Sequence, residues 1–258
     1  MKFIIKLTTA ALALATLTAC GTNNDKPADA TRQIRIATES NFKPFSYLDT
    51  QGNVVGFEID LANALCEQIK AQCNIISQDW DSLIPSLNAN QSDAIMAGMS
   101  ITQERQQVVD FSEPYFDNAL VLVGKKGDAT TIDSIAGKTV ATQQATLAAD
   151  YLKQNHPDAI VKAYDKQDNA YLDLSAGRAD LMLSDAVPIT DWLSTETGAN
   201  FEIKGQPIDI NDKVAIAVRK GDTALKADFD NALAALKQNG KYDEIVSKYF
   251  DKQTLLQK

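Results

Sequence analysis

Apolar and polar positions alternate over residues 33–38, Gln-Ile-Arg-Ile-Ala-Thr, with the two-residue period of a strand. Over 56–69, Gly-Phe-Glu-Ile-Asp-Leu-Ala-Asn-Ala-Leu-Cys-Glu-Gln-Ile, the apolar residues recur at helical spacing and fall on one face. A strand at 73–77, a helix at 82–90 and the apolar run 93–98 complete a β-α-β-α-β series. Beyond Gly127 the series recurs, with strands at 138–142, 159–164 and 179–184 and helices near 146–155, 169–176 and 187–194. A third block adds a strand at 213–218 and helices at 223–238 and 242–249, parted by the stop signal Gly240. Two such series predict an α/β chain of two lobes, each a mostly parallel sheet flanked by helices. The third block is expected to return to the first lobe. Lobe 1 is then residues 31–118 with 214–258, and lobe 2 residues 119–213. The chain crosses between them twice, near 117–119 and 210–214, and these crossings form the hinge.

The first twenty residues follow another pattern: Met-Lys-Phe-Ile-Ile-Lys, an uncharged run of small and apolar residues from 7 to 19, then Cys20. A basic start, a short apolar stretch and small residues before the cut make a signal peptide over 1–19. The run is shorter than the roughly 20 residues a bilayer span needs. Leu17-Thr-Ala-Cys20-Gly21 resembles the lipobox of bacterial lipoproteins, whose cysteine is lipidated and becomes the first residue of the mature chain. The competing reading is a secreted protein with an incidental cysteine. Residues 21–30 are polar, with no apolar cluster, and read as a flexible tether after Cys20.

Composition narrows the function. Of 258 residues 45% are apolar, enough for a sizeable core, and the formal charge of −9 becomes −11 once Lys2 and Lys6 leave with the leader. That balance argues against a phosphate-backbone partner, so no nucleic acid is expected. The one histidine, His156, reads as a helix-end surface residue, which removes most Ser-His-Asp, Cys-His and histidine–metal chemistry. No metal or cofactor is expected. Cys66 and Cys73 in an exported chain read as a local disulfide from helix to strand. The rival roles, metal ligation or a reactive thiol, find no further Cys or His nearby.

In open parallel sheets ligands collect outside the carboxyl ends of the strands, where helix N-termini and free loop amides face. The residues there are Glu39 with Phe42, Trp80, Ala97 and Gly98 with Ser100 and Arg105, Gln143 to Leu147, and Ser184-Asp185. In Met99-Ser-Ile-Thr-Gln-Glu-Arg105, Thr102 suits a helix N-cap and Arg105 can reach back over the helix start. With the Ser100 hydroxyl it would clamp a carboxylate; otherwise it is a surface arginine opposing the helix dipole. Asp185 is either a helix N-cap or an acceptor for an ammonium. Glu39 is either a capped loop acid or the partner of a cationic tip. Phe42 and Trp80 are either core aromatics or a sandwich around a side chain.

At these residues the chain resembles the polar amino-acid-binding proteins of bacterial ATP-binding-cassette importers. The likeness runs over about 32–251, through Ile36-Ala-Thr-Glu39 with Pro44-Phe45, Gly56-Phe-Glu-Ile-Asp-Leu61, Asp81-Ser-Leu-Ile-Pro-Ser-Leu87, Ala97-Gly-Met-Ser-Ile-Thr-Gln-Glu-Arg105, Asp110-Phe-Ser-Glu-Pro-Tyr115 and Gly240-Lys-Tyr242. It implies the type II periplasmic binding fold, two lobes closing on a free L-amino acid. Arg105 and Ser100, with amides near Thr146 and Leu147, would take the α-carboxylate. Asp185 and the Gly98 carbonyl would take the α-ammonium. Phe42 and Trp80 would flank the side chain, Glu39 would meet a cationic tip, and Gln143 would tune specificity.

The runs Ala-Thr-Glu, Ala-Gly-Met and Asp-Ser-Leu-Ile-Pro-Ser-Leu are most similar to those of arginine-binding members. Three departures stand out. Ala145 replaces a glycine usual before Thr146, a glycine-rich segment is missing around 209–212, and Ala97-Gly98 replaces the paired serines of lysine and histidine binders. The expectation is a monomeric lipoprotein, periplasmic or on the cell surface and anchored by lipid alone. It would deliver arginine, lysine, ornithine or histidine to an importer permease without being an enzyme. Glutamine or another neutral amino acid, a sensor or adhesin role, and a cyclohexadienyl dehydratase on the same scaffold are the alternatives.

Overall fold

Strand β1 (Arg32–Thr38) sends Ile34 and Ile36 into one apolar cluster and Ala37 into another, so the alternation seen in the sequence becomes a strand covered on both faces. The computed structural model describes residues 32–250. The expected leader, lipidation site at Cys20 and tether lie outside the described residues. A small antiparallel sheet follows, β2 (Asn41–Phe42), β3 (Ser46–Leu48) and β4 (Val54–Val55), strands too short for any apolar period to announce. Gly56 then opens α1 (Phe57–Ile69) at φ +136°, where a Cβ would stand 2.3 Å from the Phe45 carbonyl oxygen. Phe57, Leu61, Ala62 and Leu65 form the buried face of α1. Its far end is tied to β5 (Ala71–Ser77) by the Cys66–Cys73 disulfide, as expected. A 3-10 turn from Trp80 leads into α2 (Leu83–Asn88), then come β6 (Ala94–Ile95), α3 (Gln103–Val108) and β7 (Val109–Phe111).

The chain next enters a second sheet. Its elements are β8 (Phe116–Lys125), β9 (Thr139–Gln143), α4 (Leu147–Asn155), β10 (Ile160–Tyr164), α5 (Gln167–Ser175), β11 (Leu181–Asp185), α6 (Ala186–Leu193), β12 (Phe201–Ile203) and β13 (Ile208–Val214). It then returns through β14 (Ala217–Arg219) to α7 (Thr223–Gln238) and α8 (Lys241–Tyr249), which pack against α1 in the first sheet's core. His156 caps the end of α4.

The sheets are mixed, not mostly parallel as expected. The first runs β5-β1-β6-β14-β7, parallel over β5, β1 and β6 but antiparallel where β14 meets β6 and β7. The second runs β10-β9-β11-β8-β12 with β13 also on β8; β10, β9 and β11 are parallel, and β8 is antiparallel to its partners. The cause is the crossings: a chain passing directly from one sheet to the other has no crossover helix, so its strands pair antiparallel.

Two expectations fail at the crossings. The run 213–218 is not one strand: Lys213 and Val214 end β13 in the second sheet, and Ala217 begins β14 in the first. Long β8, which the sequence reading passes over, pairs with three strands of the second sheet, β11, β12 and β13. The crossings therefore lie at 112–115 and 215–216, a few residues from the expected positions. They run side by side, with Ser112 N–H on Ile216 O at 2.9 Å and Tyr115 N–H on Val214 O at 3.0 Å. Asn211, at φ +53° beside a bulge in the β13–β8 pairing, takes the left-handed turn where a glycine was missed.

Candidate functional site

The carboxyl ends of β1 and β6 deliver Glu39, Ala97 and Gly98, and those of β9 and β11 deliver Gln143, Ser184 and Asp185. These residues line one cleft between the sheets, together with Phe42, Trp80, Ser100, Thr146 and Leu147. Every residue expected around a ligand is there except Arg105.

Arg105 sits beside the cleft. Thr102 caps α3 by accepting the Arg105 N–H at 3.1 Å, and the guanidinium folds back over the helix start. Nη1 donates to Ser100 O at 2.8 Å, Nη2 to Ala145 O at 2.9 Å, and the group lies 5.2 Å over the Trp80 ring. Trp80 thus carries the protein's own cation in this geometry. Ala145 offers its carbonyl from φ +53°, so the glycine departure keeps the left-handed turn at a backbone penalty.

At the other end Gln143 Nε2 donates across the cleft to both Glu39 oxygens, at 3.0 and 3.3 Å, and to Asp165 O at 3.2 Å. Burial pushes the Glu39 carboxyl up to about 7, with Asp168 and Asp79 adding repulsion against the Gln143 hydrogen bond. Asp185 is raised as well, by burial and by the charge of Asp212. Asp185 stands at the N-cap position of α6, as one reading expected, but its side chain makes no capping hydrogen bond there.

Three residues escaped the sequence reading. Asp212 is buried and accepts two side-chain hydrogen bonds, one from Asn118 Nδ2 at 2.7 Å and one from Ser100, whose hydroxyl is thereby occupied. Only its place in the bulged segment after 208 distinguishes it, and no period marks that. Glu58 is fully buried on α1 and accepts the Gly98 N–H at 2.6 Å and the Tyr115 hydroxyl. Its burial raises the carboxyl to about 7. A carboxylate on the apolar face of 56–69 was the available signal. Gly98 is pinned from the other side too: at φ +62°, a Cβ there would stand 2.6 Å from the Phe42 ring. Gln167 also lines the cleft.

The model of the bacterial extracellular solute-binding proteins, family 3, matches residues 34–252. The chain belongs to that family. Among its relatives, a putative ABC transporter arginine-binding protein 2 of Escherichia coli (strain K12) is 39% identical over 231 residues, 87% of this chain and 93% of that one. An ancestral arginine-binding protein solved with arginine superposes with a TM-score of 0.81 at 34% identity, covering 85% of this chain and 98% of its own. An ancestral arginine-binding protein solved with glutamine gives 0.80 at 34% identity, over 84% and 97%. An ancestral amino acid-binding protein, a precursor of cyclohexadienyl dehydratase, gives 0.77 at 31% identity, over 85% and 96%. The solute-binding fold is therefore the two-sheet architecture described above, with the cleft between its sheets. Among the described residues no helix is long and apolar enough to cross a membrane.

Proposed function

We propose that this family 3 protein captures a free amino acid with a cationic side chain, arginine before lysine, ornithine or histidine, and passes it to the permease of an ABC importer. The observation that carries the reading is Glu39, a buried carboxylate at the strand ends, turned toward the cleft and held by a neutral amide. A guanidinium or ammonium replacing that amide relieves the burial of the charge. Arg105, with the amides at Thr146 and Leu147, takes the ligand carboxylate. Asp185 and the Gly98 carbonyl take its ammonium, Phe42 and Trp80 flank the chain, and Gln143 swings off Glu39. The two lobes turn about the crossings at 112–115 and 215–216. The reading includes export by the 1–19 leader, lipid on Cys20 as the sole anchor, a periplasmic or cell-surface monomer, and no catalysis.

Two other readings have support. A neutral ligand such as glutamine fits the clamp equally, and ancestral arginine-binding proteins were solved with arginine and with glutamine. A dehydratase needs a general acid, and a carboxyl near 7 has the right acidity. Calorimetric titration with arginine, lysine, ornithine, histidine and glutamine, beside incubation with prephenate and arogenate, separates the three. Tightest binding of arginine supports capture of a basic amino acid. Tighter glutamine binding removes the cationic subsite, and turnover of either cyclohexadienyl substrate replaces transport with catalysis.

A further inference from the structure

We infer that Gln167 is a further ligand-contacting residue, its side-chain carbonyl oxygen accepting an N–H from the cationic side chain of the bound amino acid; this rests on the capture of a basic amino acid proposed above. Gln167 begins α5, lines the cleft with Gln143 and Ser184, and is 1% exposed. Its amino group is already engaged, donating to Ser184 Oγ at 2.7 Å and to the Tyr171 hydroxyl at 3.1 Å. Tyr171 is itself fixed by stacking on Trp192, with ring centroids 4.7 Å apart, so the amide is held from behind. What remains is Oε1, buried and without a hydrogen-bond partner among the described residues. A buried acceptor left open in this way asks for a donor that arrives from elsewhere.

The neighbours say where. Two residues earlier, Asp165 offers its carbonyl to the same Gln143 amide that binds Glu39. Ser184, on the other side, directly precedes Asp185. Gln167 is thus tied both to the acid end of the cleft and to the strand end that presents Asp185. A guanidinium has five N–H donors and a carboxylate takes two of them side by side, which leaves donors for another acceptor. A neutral amide oxygen serves there without adding charge to a cleft that already holds the Glu39 and Asp185 carboxyls.

Titrating arginine into the wild-type protein, Gln167→Met and Gln167→Glu tests the inference. Methionine keeps the length and loses the acceptor. Glutamate keeps an acceptor at the same place, with the Ser184 and Tyr171 hydroxyls turning to donate to it. Arginine affinity should fall about tenfold or more in Gln167→Met and return to within about threefold of wild type in Gln167→Glu. Melting of each ligand-free variant verifies folding, and Gln167→Leu repeats the first arm if Met lowers the melting temperature. Unchanged affinity in Gln167→Met overturns the inference, and so does a Gln167→Glu as weak as Gln167→Met, because shape and not the acceptor then matters. Wild-type protein that does not bind arginine overturns the proposed function as well, and this is seen before any substitution is made.

Discussion

The Glu39 carboxyl, held up at about 7 by burial, ties affinity to pH in one direction. A carboxyl raised above its ordinary value near 4.5 binds a proton more tightly in the folded state, so the ligand-free protein loses stability as pH rises from about 4.5 through about 7. A cationic ligand favours the ionised form and so releases that proton on binding. Arginine affinity should therefore fall as pH drops below about 7, by up to about tenfold per unit, and Glu39→Gln should flatten that limb in calorimetry. An unchanged slope in the variant would remove Glu39 from the pocket. Ala145 makes a second residue-level case. Its left-handed φ of +53° costs about 1–2 kcal/mol, while glycine there gives back about 0.4–1 kcal/mol through the freer unfolded chain. Ala145→Gly should thus stabilise by about 0.5 kcal/mol in urea unfolding. A loss of stability would mean that the turn at Ala145 is not strained.

Helix α1 shows what a sequence can and cannot announce about an element. Its buried face follows from the spacing of Phe57, Leu61 and Leu65, and the bridge from Cys66 to Cys73 follows from two cysteines in a chain whose sequence reads as exported. Its start depends on a long-range contact. Gly56 lies so close to the Phe45 carbonyl that no side chain fits, at a φ L-residues avoid. Gly56→Ala should cost more than about 3 kcal/mol, read as a large drop in melting temperature or loss of soluble protein, since the obstacle is backbone and cannot swing aside. Elements with a clear period were legible in the same way, as β1, β9 and α7 show. Short β2, β3 and β4 carry no period, and the 213–218 run looks like one strand because both sheets bury it. The cleft was legible where strand ends and loops mark it. Glu58 and Asp212 were not, because their roles come from partners far along the chain, as Gly98 and Asn118 show, and Gln167 was not, because no period or motif marks it.

At the scale of the whole molecule, the two sheets are drawn together over the cleft by polar contacts: Arg105 to Ala145, Gln143 to Glu39, Gln144 to Asp81, and the ion pairs Lys166–Asp79 at 3.1 Å and Lys43–Asp191 at 3.4 Å. The free space left in the cleft is about 20 Å3, room for about one water, so a whole amino acid enters only after the sheets part. The ion pairs at the rim are solvent-exposed on at least one side and are worth about 0–1 kcal/mol each, less in salt. They do not hold the molecule shut unaided. A ligand that binds the carboxylate clamp beside β6 and the Asp185 end of β11 at once favours the closed form by its differential affinity. The radius of gyration from small-angle scattering should therefore shrink when arginine is added to wild-type protein. It should stay at the open value in Arg105→Ala at the same concentration, because the ligand carboxylate then lacks its charged partner and binding weakens by about a hundredfold or more. Added salt should shift the ligand-free protein further toward the open form and leave the arginine-bound value nearly unchanged. Binding in the calorimeter with no contraction in scattering would mean that the ligand is held by one sheet alone, and would end the account of closure given by the crossings at 112–115 and 215–216.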